Sequence, residues 1–253
     1  VSALKGTPDL AVGNVVGSNS FNTLLIVGVA ALVLPITILK TTVRKDIPFA
    51  VLASAALFLL CLDGNISRVD AGFLLILFFF FMGYTLFTAK SGDVPAAEEK
   101  KPMKPLVAAM WLLVGLLCLV FGSNLFVDGA TTVAKTMGVS DAIIGLTIVA
   151  GGTSLPELAT SVVAARKGNS GIAIGNVLGS NVFNILFILG VTGVISPMNI
   201  QGIGTVDLTV LFGSMVLMWL LSFTKYTISR IEGTLMASCY MAYMTYLIIQ
   251  VMK

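Results

Sequence analysis

The sequence predicts an all-α, polytopic membrane protein whose halves are inverted repeats of one another. Three observations predict it. The 253 residues are 57% hydrophobic and only 11% charged, with a mean hydropathy of +1.01. The charges sit in short clusters between apolar stretches close to the ~20 residues that a helix needs to cross the hydrocarbon core of a bilayer. And the run GNVVGSNSFN at 13–22 returns as GNVLGSNVFN at 175–184.

Taken in order, eight apolar segments run at 9–35, 47–62, 70–89, 105–137, 140–167, 171–195, 206–222 and 234–251. The fourth and fifth are long enough to be tilted or broken. The link 90–104, KSGDVPAAEEKKPMK, carries charges and prolines and reads as a solvated connection. It divides the chain into 1–89, the remainder of a first repeat half, and 105–253, the second half. Eight spans alternate in direction, so the loops fall on two sides. One side holds Lys5, Arg68, Lys135 and Lys253; the other holds the remaining eleven of the 15 lysines and arginines. The positive-inside rule makes the second side, with the 90–104 linker, cytoplasmic and puts the C-terminus outside. A prokaryotic inner membrane is the expected location.

Composition excludes several classes. There is no histidine, so His-ligated metal centres and His-based acid/base chemistry are absent. Cys61, Cys118 and Cys239 lie in apolar segments without CxxC spacing and read as reduced packing residues. The net charge of +3 is a matter of loop topology and gives no reason to expect a nucleic-acid partner. No cofactor is expected, and the sequence says nothing of oligomeric state.

The two motifs stand 162 positions apart, and the register extends through Gly28 and Gly190 to Pro35 and Pro197, and backward through Lys5–Gly6 on Lys167–Gly168. This is an internal duplication. The copies lie on spans one and six, five spans apart, so they cross the membrane in opposite directions. Inverted repeats of this kind mark secondary transporters, with a binding site at the midplane between them. Before the second copy stands AGGTSLPELATS, 150–161, whose counterpart at the same offset falls before Val1. The register thus leads to the expectation of a first helix and most of a second upstream, and ten spans in two halves of five.

Asn14, Ser18 and Asn22 recur every four residues and line one helical face, as do Asn176, Ser180 and Asn184; Thr153, Glu157 and Ser161 make a third stripe. Polar groups at membrane depth face the protein interior or a water-filled cavity. Close helix packing explains the GxxxG glycines. It does not explain three amide or hydroxyl side chains per stripe, duplicated, with a carboxylate. Glu157 is the only glutamate inside a span and follows Pro156. Proline has no N–H, so the Gly152 carbonyl loses its helical partner, and Gly151 and Gly152 loosen the same turn. The break gathers carbonyls, the Thr153 and Ser154 hydroxyls and one carboxylate, an oxygen-rich set suited to calcium or sodium. Asp128, two turns from the outer surface, is assigned to an outer vestibule or to packing.

These residues resemble a family. GGTSLPELATS followed by GNVLGSNVFN resembles the second alpha-repeat of the sodium/calcium exchangers, in the cation/calcium exchanger superfamily, and GNVVGSNSFN the later half of the first. The short central link resembles the prokaryotic members. The resemblance implies a secondary active antiporter, not an enzyme, that exports Ca²⁺ against Na⁺ by alternating access. It implies ion ligands at the Ala150 and Thr153 carbonyls, the Ser154 hydroxyl, Glu157, Ser180 and Asn184, with Ser18 and Asn22 from the first copy. Many members carry Asp where Asn184 stands, so this site holds less charge than theirs. A Ca²⁺/H⁺ or potassium-dependent sodium/calcium antiporter is the alternative, and a non-transporting membrane scaffold the distant one. An intramembrane hydrolase using Ser154 lacks a general base, with no histidine present and no lysine at that depth.

Overall fold

The computed structural model describes residues 8–89, 105–200 and 202–251. The Lys5–Gly6 register, the 90–104 linker and the C-terminal Lys253 lie outside them. The described chain is almost wholly helical. Helices α1 (Pro8–Ser20) and α2 (Val27–Val33) are joined by a π-helical stretch, Phe21–Ile26, into one rod. A π-helical turn at Thr42–Asp46 leads into α3 (Ile47–Leu60), followed by α4 (Arg68–Ala89) and the long α5 (Pro105–Thr136). The next rod is α6 (Asp141–Ile144), a π-helical stretch Gly145–Val149, α7 (Ala150–Thr153) and α8 (Leu155–Arg166). Then α9 (Ser170–Val182), a π-helical Phe183–Ile188 and α10 (Leu189–Ile195) form the second motif rod, before α11 (Thr205–Ser222) and α12 (Arg230–Val251).

Each of the eight apolar segments is therefore a helical rod. Five of the described helical runs are long and apolar enough to cross a membrane, and six if the bent pair Asp141–Thr153 and Leu155–Arg166 is one span. The α3 helix is shorter than a full crossing, and α12 carries Glu232 and several hydroxyl and phenol groups among its apolar residues.

The duplication is written into the tertiary structure in detail. The 162-residue offset carries α1, the Phe21–Ile26 stretch, α2 and α4 onto α9, the Phe183–Ile188 stretch, α10 and α12, end for end. Two short bridges obey the same rule. Strand β1 (Ile36–Thr37) pairs antiparallel with β4 (Thr227–Ile228), and β2 (Asn65–Ile66) with β3 (Met198–Asn199). The offset turns the first pairing into the second, so each half gives the other the contact that it receives. That reciprocity is a two-fold relation. The α4 helix packs on α10 as α12 packs on α2. At those crossings Gly28 meets the Gly233 carbonyl and Gly190 the Ala71 carbonyl; a Cβ would lie 2.8 Å and 3.2 Å from them. Phe21 meets Tyr240 edge to face at 5.4 Å, and Phe183 meets Phe78 at 5.8 Å.

Helix starts are duplicated too. The Ser67 N–H donates to Asp70 Oδ2 at 2.8 Å, and the Ser229 N–H to Glu232 Oε2 at 2.7 Å. Each carboxylate satisfies a backbone donor that the helix leaves free, an effect of order 1 kcal/mol. Glu232 thus joins Glu157 as a glutamate within a helix, because α12 begins earlier than the apolar stretch suggests. Asp207, in the first turn of α11, accepts from the Gly204 N–H and the Tyr243 hydroxyl, both at 2.8 Å. Of the cysteines, Cys61 is buried as expected of a packing residue, whereas Cys118 is exposed on α5, whose surface is apolar almost all round.

Candidate cation site

Gly13 and Gly17 let the α6–α7 rod lie directly against α1. A Cβ at Gly17 would collide with the Leu146 carbonyl and stand 2.7 Å from Ala150 Cβ; Gly145 makes the reciprocal approach to the α1 backbone. This contact brings the first-copy stripe to the predicted break. The break is real and sits at Ser154, with φ −94° and ψ 2°, and the helix axis turns by 45° there. Pro156 lies in the first turn of α8, where its lost N–H costs no helical bond.

One carbonyl behaves differently from the sequence expectation of a freed ligand. Gly152 O accepts the Ser123 hydroxyl of α5 and a backbone N–H at the break, so this oxygen is already bonded. Val127 and Phe126 of α5 close over Gly152 itself. Ser123 carried no signal in the sequence beyond being a small polar residue in a long apolar helix.

Around the break three polar groups of predicted residues converge. Ser18 Oγ lies 3.4 Å from the Ala150 carbonyl and 3.2 Å from Thr153 Oγ1. Asn14 Oδ1 joins them, 3.0 Å from Thr153 Oγ1 and 3.2 Å from Ser18 Oγ. Ser154 is buried in the same turn. A second group surrounds Glu157. Glu157, Ser180 and Asn184 line one open cavity with Gly179, Phe183 and Ile188. Asn176, from the second stripe, turns away to the Glu157 main-chain carbonyl at 3.2 Å and to Ser161 Oγ at 3.0 Å. A neighbouring, mostly apolar cavity lined by Thr37, Thr42, Asp46, Phe81 and Gly175 meets the first at Gly179 and holds none of the predicted ligands.

Between these groups stands an amide network. Asn22 Nδ2 donates to Asn181 Oδ1 at 3.0 Å, and Asn184 Nδ2 to Asn19 Oδ1 at 3.1 Å. The 162-residue offset exchanges these two bonds, so the two-fold axis of the fold passes through the network. Asn19 and Asn181 belong to the quoted motifs but not to the stripes, and sequence periodicity gave them no role. The π-helical stretches that hold Asn22 and Asn184 were likewise invisible; such widened turns recur at functional sites.

Two side-chain oxygens at the centre are buried without a partner, Asn22 Oδ1 and Glu157 Oε2. An unbonded acceptor at membrane depth is costly unless something positive meets it. Among the described residues no three His, Cys, Asp or Glu side chains come together. The site is thus one carboxylate in a field of amide, hydroxyl and carbonyl oxygens, the chemistry of a hard, weakly held cation. Asp128 is exposed on α5 and takes no part in it.

The sodium/calcium exchanger protein family model matches residues 1–87 and 107–249. The chain belongs to the sodium/calcium exchanger family. It is accordingly a membrane cation/calcium antiporter of that family. Among relatives, CaxA of Alkalimonas amylolytica, whose name describes an antiporter, is 36% identical over 253 residues, 96% of this chain and 79% of its own. The sodium/calcium exchanger MaX1 of Methanosarcina acetivorans is 54% identical over 90 residues, 36% of this chain and 26% of its own. The solved structure of the sodium-calcium exchanger NCX_Mj soaked with Na⁺ and Sr²⁺ matches with a TM-score of 0.77 at 31% identity, over 96% of this chain and 78% of that one.

Proposed function

We propose that this exchanger moves calcium out of the cell in exchange for sodium entering down its gradient, by alternating access at the two-fold centre. The ligands are the Ala150 and Thr153 carbonyls, the hydroxyls of Ser154, Ser18 and Ser180, the amide oxygens of Asn22 and Asn184, and the Glu157 carboxylate. The observation that carries the reading is the pair of orphaned buried acceptors, Asn22 Oδ1 and Glu157 Oε2, one from each half of the chain. Each half contributes an oxygen that a cation between the halves would satisfy. Sodium and calcium have similar radii and both take oxygen ligands, so they compete for overlapping positions. Motion of one half, or of a lightly held helix such as α5, against the other opens the site to either face.

In this reading the halves are residues 1–89 and 105–253, joined by the cytoplasmic linker 90–104 in a prokaryotic inner membrane, with the C-terminus outside. Calcium flux into proteoliposomes, driven in turn by a sodium, a potassium-plus-sodium and a pH gradient, tests the coupling ion. Sodium alone is expected to suffice. Flux that requires potassium or follows only the pH gradient assigns the chain to the potassium-dependent or proton-coupled class instead.

A further inference from the structure

Asn19 and Asn181 occupy the same place in the two copies, and both are fully buried. An amide has two ends of nearly equal size: an oxygen that binds a cation, and an NH₂ that repels it. A site built on Asn22 and Asn184 needs something to decide which end faces the ion. The structure supplies two chains of hydrogen bonds that decide it.

The first begins at a main-chain carbonyl, which can only accept. Asn19 Nδ2 donates to the Asn181 carbonyl at 3.2 Å. Asn19 Oδ1 is thereby turned to Asn184 and accepts its Nδ2 at 3.1 Å. The end of Asn184 left for the cavity is its oxygen. The second begins at the twin carbonyl. Thr23 Oγ1 gives its hydrogen to the Asn19 carbonyl at 2.8 Å. It then accepts from Asn181 Nδ2 at 2.9 Å. Asn181 Oδ1 is turned to Asn22 and accepts its Nδ2 at 3.0 Å. The end of Asn22 that remains is Oδ1, buried and without a partner.

We infer that Asn19 and Asn181 are positioning residues that fix the amide polarity of Asn184 and Asn22, so that both present oxygen to the transported cation. The inference rests on the cation site proposed above and adds what holds that site's neutral ligands in register. Without such a lock, each amide turns its NH₂ inward for part of the time, removing a ligand and placing positive hydrogens beside the ion. Outer partners that orient ligands in this way change metal affinity by about ten-fold or more when removed.

The test uses the fact that a carboxylate has no wrong end. Calcium KM and turnover are measured by radiolabelled calcium flux in proteoliposomes for the parent chain, Asn19→Leu, Asn184→Asp and the double variant. Asn19→Leu is expected to raise calcium KM roughly ten-fold in the parent and far less in the Asn184→Asp background, where residue 184 no longer needs orienting. Equal rises in both backgrounds indicate a merely structural residue and overturn the inference, as does no rise in the parent. If the leucine variant fails to fold, Asn19→Ala in the same two backgrounds decides in the same way. Glu157→Gln in the same series keeps the two claims apart. If it transports like the parent, the site reading itself fails; if it is inactive while Asn19→Leu is silent, only the positioning role fails.

Discussion

The side chain of Asn19 donates to the main-chain carbonyl of Asn181 at 3.2 Å, and the two residues are one another's equivalents, 162 positions apart. A residue touches its own image only at a symmetry axis. The centre of the duplicated fold therefore lies within the paired motifs, and the orphaned acceptors Asn22 Oδ1 and Glu157 Oε2 belong to the side chains gathered around it.

Glu157→Gln is expected to abolish calcium transport while leaving the protein folded. The change keeps size and hydrogen-bonding capacity but removes the carboxylate of the cavity lined by Ser180 and Asn184. Neutral oxygens alone barely offset the dehydration of a divalent ion. Radiolabelled calcium flux in proteoliposomes with an imposed sodium gradient, beside a thermal melt in detergent, checks both halves of the statement.

Asn184→Asp is expected to tighten calcium binding or to change the number of sodium ions exchanged. It adds a second carboxylate beside Glu157 in the same cavity. The added charge strengthens attraction for a divalent ion more than for a monovalent one. Calcium KM and the charge moved per calcium, read from flux against an applied potential, report the outcome; unchanged values for both refute it.

Gly17→Ala is expected to destabilise the protein by roughly 1–3 kcal/mol, the usual cost of overpacking. Its Cβ would collide with the Leu146 carbonyl and crowd Ala150, and backbone atoms cannot swing aside. Gly213→Ala on α11 meets nothing within 4 Å and is expected to be neutral or mildly stabilising. Melting temperatures of the two variants, measured side by side in one detergent, test the contrast.

Tyr243→Phe is expected to cost about 1–3 kcal/mol, because it strips a hydrogen bond from a buried carboxylate. The hydroxyl stands 2.8 Å from Asp207 Oδ1, and both residues are buried. Calcium KM is expected to stay near the parent value, since Asp207 serves the start of α11 and does not line the cavity of Glu157. A shifted KM with unchanged stability would instead tie this pair to transport.

The sequence by itself determined the class of the molecule and the identity of most of its polar centre. Composition and span length fixed a helical membrane protein, because unpaired backbone is not tolerated in lipid and apolar side chains must face it. The repeated letters fixed the two-fold plan, because equal sequences adopt equal local structure. Periodicity alone marked the stripes holding Ser18, Asn22, Glu157, Ser180 and Asn184, and Pro156 beside Gly151–Gly152 marked the broken helix. Only the tertiary structure decided the rest. The Gly152 carbonyl, expected to be free, accepts a backbone N–H at the break and the hydroxyl of Ser123, 29 residues away on another helix. Which end of Asn184 faces the cavity, and which end of Asn22 is left unbonded, depends on Asn19, Thr23 and Asn181, bonded mostly across the two copies. Periodicity reports which face of a helix is polar. It carries no information on how two such faces dock, and an amide's orientation is set only by the donors and acceptors that docking brings to it.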